Sequence, residues 1–216
     1  MKKVAYIAII LANFSIFNNA VFANNKTAHT QQQFEEDDIS RAKVFLKFFL
    51  KEASSVANDC LNNKKICFNF ADIIVNKFDL KSMAQFVLGP YFRKLSESEV
   101  AQFEKLLTKH FIKAYATHER IKLFASVDME NDDFNFKTSL NEKKNRLTSQ
   151  KNFKTEKNTV NVKIVLLKSK DGSFNIFDIL IEDIGLLVST RDFLSPLYQN
   201  KSSKEFLTAF EKIANE

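Results

Sequence analysis

Hydrophobic residues recur with one spacing in the first half of this chain and with another in the second half. Up to about Ile121 they lie three or four positions apart, the spacing of one face of an α-helix. Later in the chain, every second position is apolar at Val160, Val162, Ile164 and Leu166, which is typical of a β-strand. Helical spacing returns near Leu186–Phe193 and again from about Ser203. Helices, then antiparallel strands, then helices predict an α+β domain.

The first part of the chain predicts three helices in succession. The first runs from Phe34 to about Cys60, where apolar residues form a single face. The second is Asn69–Lys77, and the third begins at Asp79, whose short carboxylate suits the N-cap position.

A break then separates the third helix from a fourth. Gly89 readily takes the left-handed conformation that ends helices, and Pro90 prevents the helix from continuing. Ser96 and Glu99 form the Ser-x-x-Glu capping box that begins the next helix. The break sets two apolar helices at an angle, and such a corner either closes a core or forms one wall of a cavity.

Several strands are predicted between the helical regions. Asp171 and Gly172 mark a hairpin turn, and the strand that follows, Phe174–Ile181, is so continuously apolar that both of its faces should be covered. Earlier strands are predicted within Lys122–Asp128, Phe134–Leu140 and Arg146–Phe153.

The N-terminus has the pattern of a secretory signal. Lys2 and Lys3 precede an uncharged run from Val4 to Phe17, and the small residue Ala23 closes the segment. The run is shorter than the ~20 residues that span a membrane, although an uncleaved anchor is the alternative. We expect the chain to be exported and to consist of a cleaved signal peptide (1–23), a flexible leader (24–33) and one domain (34–216).

Basic residues concentrate in one segment. Removal of Lys2 and Lys3 with the signal peptide lowers the formal charge from +6 to +4, and export argues against nucleic acid as a partner. Lys137–Thr159 alone carries seven Lys or Arg and two Glu. This segment is either a solvated hairpin or a contact surface for acidic partners or anionic lipid head groups. The candidate contact residues are Lys143, Lys144, Arg146, Lys151, Lys154 and Lys157.

Two cysteines, Cys60 and Cys67, fit an oxidising compartment. In one continuous helix their Cα atoms would lie about 10 Å apart, too far for a disulfide, whereas a loop between them could bring them together. A disulfide and two separately buried thiols both remain open.

The chain carries none of the usual catalytic motifs. There is no Gly-x-Ser-x-Gly, no His-Glu-x-x-His and no phosphate-binding glycine loop. His110 and His118 would lie about 12 Å apart along a helix, too far to share a metal. Asp178, in an apolar strand, is either a hydrogen-bonded structural carboxylate or a general base. We expect no cofactor, no metal and no enzyme activity.

Two stretches resemble a known family, the MlaC (toluene-tolerance) periplasmic phospholipid carriers. In FDLKSMAQFVLGPYFRKLSESEVAQF the matching residues are Phe78, Asp79, Met83, Ala84, Val87, Leu88, Gly89, Tyr91 and Arg93. In DGSFNIFDILIEDIGLLVSTRDF they are Asp171, Gly172, Ile176, Asp178, Ile181, Glu182 and Arg191. The chain departs from the family pattern at Pro90, at Asp183 in place of Gly, at Gly185 in place of Ser, and in a longer, more basic strand region.

The resemblance implies both a fold and a function. The fold would be related to NTF2-like domains, with a curved antiparallel sheet, several helices and an apolar cavity for acyl chains. The function would be that of a monomeric carrier of glycerophospholipid. It would travel between an outer-membrane lipoprotein complex and an inner-membrane ABC transporter with a lipid-binding MCE subunit, and so maintain the lipid asymmetry of a Gram-negative outer membrane.

The apolar residues of the helix corner, the fourth helix and the strands are the candidate lipid-binding residues. They are Leu88, Tyr91, Phe92, Phe103, Leu107, Phe111, Tyr115, Val162, Ile164, Leu166, Ile176 and Ile181. Three alternatives remain: a carrier of another apolar lipid such as a hopanoid, an NTF2-like enzyme that uses Asp178, and an exported structural domain with a filled core.

Overall fold

The computed structural model describes residues 35–62, 69–115, 118–126, 135–141, 145–154 and 159–215. The chain divides into two compact units, Met1–Arg41 and Ala42–Glu216. In the first unit only 35–41 is described, and it is helical. The predicted signal peptide and leader lie outside the described residues. None of the described helices combines the length and the apolarity that crossing a bilayer requires.

Seven α-helices and one 3-10 helix are found in the described residues. The α-helices are α1 (35–62), α2 (Asn69–Lys77), α3 (Leu80–Leu88), α4 (Glu97–Tyr115), α5 (His118–Ala125), α6 (Leu186–Tyr198) and α7 (Ser203–Asn215). The 3-10 helix, Gly89–Lys94, joins α3 to α4.

In the described part of the chain, five strands form one antiparallel sheet with the order β1-β2-β3-β4-β5. They are β1 (Lys137–Leu140), β2 (Arg146–Lys154), β3 (Thr159–Lys168), β4 (Phe174–Ile181) and β5 (Ile184–Gly185). The pairing of β3 with β4 shifts by one residue between Val165 and Leu166, so Val165 lies opposite Asp178 and Leu166 opposite Ile176. Phe177 is the extra residue of this bulge. The predicted α+β fold is confirmed.

Short polar side chains begin the helices where the sequence predicts. Asp79 accepts a hydrogen bond from the backbone N–H of Ser82 at 2.9 Å. At the start of α4, the Ser96 backbone N–H donates to the Glu99 carboxylate at 2.8 Å, and Ser96 Oγ accepts from the Glu99 N–H at 3.3 Å. Gly89 has φ +53°, so the helix ends at a residue in a conformation that other residues rarely adopt.

One predicted strand is wrong. Of Lys122–Asp128, residues 122–125 are helical and belong to α5, and 127–128 lie outside the described residues. The helix predicted at Leu186–Phe193 continues to Tyr198, with Pro196 inside it. Strand β5 follows a turn in which Glu182 and Asp183 both have positive φ, and it was not predicted.

The aromatic face of α4 packs against α7. Phe103, Leu107 and Phe111 are fully buried, and the Phe103 ring lies 5.8 Å from Phe206 and 5.5 Å from Phe210. These rings form a close-packed core between the two helices.

Candidate functional site

The described residues enclose an apolar cleft on one face of the sheet. About 350 Å³ of its space is free of protein atoms, and part of that space is open to solvent. Eight residues line it: Leu50, Leu123, Phe124, Phe153, Val162, Ile164, Ile179 and Ile181. All eight side chains are apolar, so the part of the lining that the structure describes offers contact to a hydrocarbon ligand and no group for acid–base chemistry.

Strand register explains why four of these residues point to one side. Ile164 lies opposite Ile179, and Val162 lies opposite Ile181, in neighbouring strands. Directly opposed residues project from the same face of a sheet, and so do residues two apart in one strand. Helix α1 contributes Leu50 and helix α5 contributes the adjacent pair at 123–124, so the cleft lies between these two helices and the sheet.

A positive charge lies close to the cleft. Lys151 is opposite Val162 in the β2–β3 pairing, and its Nζ lies 6.0 Å from the centre of the Phe136 ring. Phe136 in turn packs edge-on against Phe153, a cleft-lining residue, at 6.4 Å. Because opposed residues project from the same face, Lys151 lies on the face of the sheet that carries the cleft.

The predicted lipid-binding residues fall into separate places. Val162, Ile164 and Ile181 line the cleft. Leu166 and Ile176 are buried opposite each other in the sheet but do not line it.

The helical members of the set lie elsewhere. Leu88, Phe103, Leu107 and Phe111 are buried in helix packing, and Phe92 is half-buried at the corner. Tyr91 stacks on Tyr198 at 4.9 Å, and its hydroxyl donates to the Lys201 carbonyl at 3.3 Å. The Tyr115 side chain is outside the described part of the structure.

Five cleft residues were not predicted: Leu50, Leu123, Phe124, Phe153 and Ile179. Ile179 could have been found, because it lies two positions before Ile181 in the same strand and shares its face. Leu123 and Phe124 could not, because their segment was predicted as a strand rather than a helix.

The predicted basic hairpin is described only in part. Arg146 lies over the Phe177 ring at 4.8 Å, and Lys154 is exposed at the end of β2. Lys143, Lys144 and Lys157 lie outside the described residues. The contact role of this segment stays a prediction.

Asp178 joins the sheet to the first turn of α6. Its Oδ1 accepts hydrogen bonds from the backbone N–H groups of Ile179 at 2.9 Å and Leu187 at 3.3 Å. Burial raises the pKa of Asp178 to about 6, although these backbone hydrogen bonds act in the opposite direction. A Cβ atom at Gly185 would lie 2.7 Å from Oδ2, so a residue without a side chain is needed there. Asp178 does not line the cleft, and its contacts are those of a structural carboxylate.

Two other reactive groups of the described residues, His110 and Cys60, do not line the cleft. The His110 ring stacks on Phe193 at 5.9 Å, and its burial, together with the charge of Lys113, lowers its pKa. The described residues contain no cluster of three metal-ligating side chains. Cys60 is buried and disulfide-bonded. Cys67 lies outside the described residues, so the pairing of Cys60 with Cys67 stays a prediction.

An α+β domain with a purely apolar cleft is constructed like a binding protein for an apolar ligand. The chain belongs to the MlaC family, because the family described as MlaC protein matches residues 53–212. No curated protein matches the chain. A solved structure of the phospholipid-binding protein from Ralstonia solanacearum, in complex with a phospholipid, is similar with a TM-score of 0.62. The two chains are 14% identical, and the match covers 81% of this chain and 97% of that one, which establishes a shared fold.

Proposed function

We propose that this protein is a periplasmic carrier that holds glycerophospholipid by its acyl chains. It travels between an outer-membrane lipoprotein complex and an inner-membrane ABC transporter with an MCE subunit, and so maintains outer-membrane lipid asymmetry. The observation that carries the proposal is the cleft, whose eight lining residues are all apolar, in a chain of the MlaC family. The phospholipid in the similar Ralstonia solanacearum structure supports the same ligand class.

The hydrophobic effect explains why such a lipid needs a carrier. Each methylene that leaves water contributes about 0.8 kcal/mol. Two acyl chains of ~15 carbons would therefore cost roughly 24 kcal/mol if they crossed the periplasm exposed to water. A protein that covers half of this surface removes about half of that cost, roughly 12 kcal/mol.

The size of the cleft sets a condition on loading. If a methylene occupies about 30 Å³, close to the share of one water molecule in the liquid, two such chains need roughly 900 Å³. The part of the cleft that a water-sized molecule can occupy is only about 20 Å³, far less than that. The cleft must therefore widen as lipid enters, and we assign this movement to α5, which is only eight residues long and forms one wall through Leu123 and Phe124.

The mature protein is expected to purify with bound glycerophospholipid, because acyl chains have a lower free energy in the apolar cleft than in water. Native mass spectrometry, followed by extraction and lipid analysis, measures this directly. Protein stripped of lipid in denaturant and refolded should regain it from liposomes. A protein that is lipid-free and takes up nothing from liposomes would contradict the proposal, and a bound hopanoid would replace glycerophospholipid as the cargo.

Charge reversal in the basic hairpin is expected to slow lipid delivery to the reconstituted inner-membrane complex without changing lipid content. The test variant changes Lys143, Lys144 and Lys154 to Glu. A carrier must dock and leave again, so its partner contacts should be weak and partly electrostatic. Wild-type transfer should also slow as salt rises, because exposed charges are screened beyond about 8 Å at physiological ionic strength.

A second triple variant controls for net charge alone. It reverses Lys170, Lys204 and Lys212, which are exposed and lie outside the hairpin. This variant is expected to deliver lipid at the wild-type rate. If both triple variants deliver lipid at the same rate, and if salt does not change the wild-type rate, then the hairpin is a solvated surface without a contact role.

A further inference from the structure

The outer face of α1 exposes two large apolar side chains. Val44 is 55% exposed and Phe48 is 66% exposed. They lie four residues apart in one helix, so they are neighbours on the same face. Leu46 and Phe49, which lie on the opposite side of this helix, are buried, so the exposure of the first pair is not a frayed end of the helix.

A row of lysines runs beside this pair. Lys43, Lys47 and Lys51 follow each other at intervals of four, and residues 42–51 contain no acidic residue. We call Lys43, Val44, Lys47, Phe48 and Lys51 the α1 outer face. The next acidic residue, Glu52, is engaged with Lys77, whose Nζ lies 3.2 Å from its carboxylate. Glu52 therefore has a partner outside the α1 outer face.

We propose that the α1 outer face docks on the surface of an anionic lipid bilayer. Phe48 enters the head-group region with Val44 beside it, and the lysines lie over lipid phosphates. Aromatic and apolar side chains flanked by lysines on one helical face are the pattern of helices that bind membrane interfaces. Each lysine near an anionic surface adds attraction, which a neutral bilayer does not supply.

A bilayer suits this face better than an acidic groove of a partner protein. The lysines are exposed or half-exposed, and two apolar side chains are too few for the buried centre of a stable protein interface. A fluid surface of phosphates accepts such charges in any arrangement. Leu50, which lines the cleft, lies beside Lys43 and Lys47 on the surface of α1, so docking would bring the cleft within about one helix diameter, ~10 Å, of the bilayer. The proposal rests on the outer face and not on what the cleft contains.

Vesicle flotation with the mature protein tests the proposal. The vesicles are phosphatidylcholine alone or phosphatidylcholine with phosphatidylglycerol. Wild-type protein is expected to float only with the phosphatidylglycerol vesicles. Phe48→Ser should weaken this binding about tenfold or more, since most of a phenylalanine side chain no longer leaves water. Lys51→Gln should weaken it about fivefold.

Two matched variants control for the loss of any exposed apolar group or charge. Ile184→Ser removes a side chain that is 70% exposed at β5, and Lys204→Gln removes an exposed lysine of α7. Both are expected to bind vesicles as wild type does. Any of three results would overturn the proposal. In the first, wild-type protein floats with neither kind of vesicle. In the second, it floats equally with and without phosphatidylglycerol. In the third, Phe48→Ser binds vesicles as strongly as wild type does.

Lipid content separates this proposal from the carrier function. All four variants should purify with the wild-type amount of bound lipid, because none of the changed residues lines the cleft. A protein that carries no lipid but docks through Phe48 refutes the carrier function alone. A different result would show that the outer face contacts a protein. In that case the wild-type protein would carry lipid and would not bind vesicles, and Phe48→Ser would abolish its binding to a partner complex.

Discussion

Ile164→Asp is expected to purify almost free of phospholipid. Ile164 is buried on the central strand β3 and lines the cleft, so the new carboxylate would lie among the acyl chains. An unpaired charge in such a place costs several kcal/mol, and bound lipid would deprive it of its remaining water. The free protein can solvate the carboxylate through the open part of the cleft, so loading should suffer more than folding. Native mass spectrometry gives the bound fraction, and urea unfolding gives the stability.

Two further variants make this result specific. Ile164→Leu keeps the volume and the apolar surface and should load normally. Leu166→Asp places the charge two residues along the same face, at a buried position away from the cleft lining, and should reduce the free energy of unfolding more than Ile164→Asp does. If folded Ile164→Asp carries as much lipid as Ile164→Leu, then the ligand does not contact Ile164.

Asp178→Asn is expected to remove a pH-dependent part of the protein's stability. The pKa of Asp178 is about 6 when folded and about 3.9 in the unfolded chain. Between these values the folded state holds a proton that the unfolded state has lost, so stability falls as pH rises through the window. Two pKa units correspond to about 3 kcal/mol, a contribution present below about pH 4 and lost above about pH 6.

Urea unfolding of wild type and variant across this range measures the effect. The side-chain amide that Asp178→Asn introduces can accept the same backbone hydrogen bonds without titrating, so the advantage of wild type over the variant should shrink as pH rises. Asp171→Asn is the control with the opposite sign, because hydrogen bonds from Ser173 lower the pKa of Asp171. Its contribution is present at neutral pH and lost in acid. A stability difference for Asp178→Asn that does not vary with pH would mean that the carboxyl group titrates normally.

Elements with a local signal were predicted closely from sequence. Helix α2 and strand β4 have the predicted bounds, Asn69–Lys77 and Phe174–Ile181. Strand β4 follows a turn at Asp171 and Gly172, where Gly172 has φ +82° and Asp171 accepts from the Ser173 N–H at 3.0 Å. Such residues determine the backbone conformation of the turn that contains them, so the turn can be predicted without knowledge of distant contacts.

Elements that depend on distant contacts were missed. In α5, Ile121, Leu123 and Ala125 alternate as in a strand, and the helix is short enough that packing decides between the two. Strand β5 has two residues and follows Glu182 and Asp183, neither of which is a glycine that would signal the positive φ of the turn.

The residues of the cleft, too, could be predicted only where the signal is local. Val162, Ile164 and Ile181 could be placed on a common face because strand alternation is visible in sequence. The aromatic stripe of α4 was equally visible, but its cover is Phe206 and Phe210 of α7, about 100 residues away. Periodicity identifies an apolar face, whereas it does not identify what the face packs against.

A phenylalanine in the lining of the cleft makes it possible to observe loading by fluorescence. The chain has 23 phenylalanines, four tyrosines and no tryptophan, so its natural emission comes from tyrosine. Phe124 is a half-exposed cleft residue, and a tryptophan in its place would be the single indole of the molecule. Because indole emission shifts to shorter wavelength when water leaves its surroundings, the arrival of an acyl chain could be followed in real time, without a dye and without interference from other fluorophores of the chain.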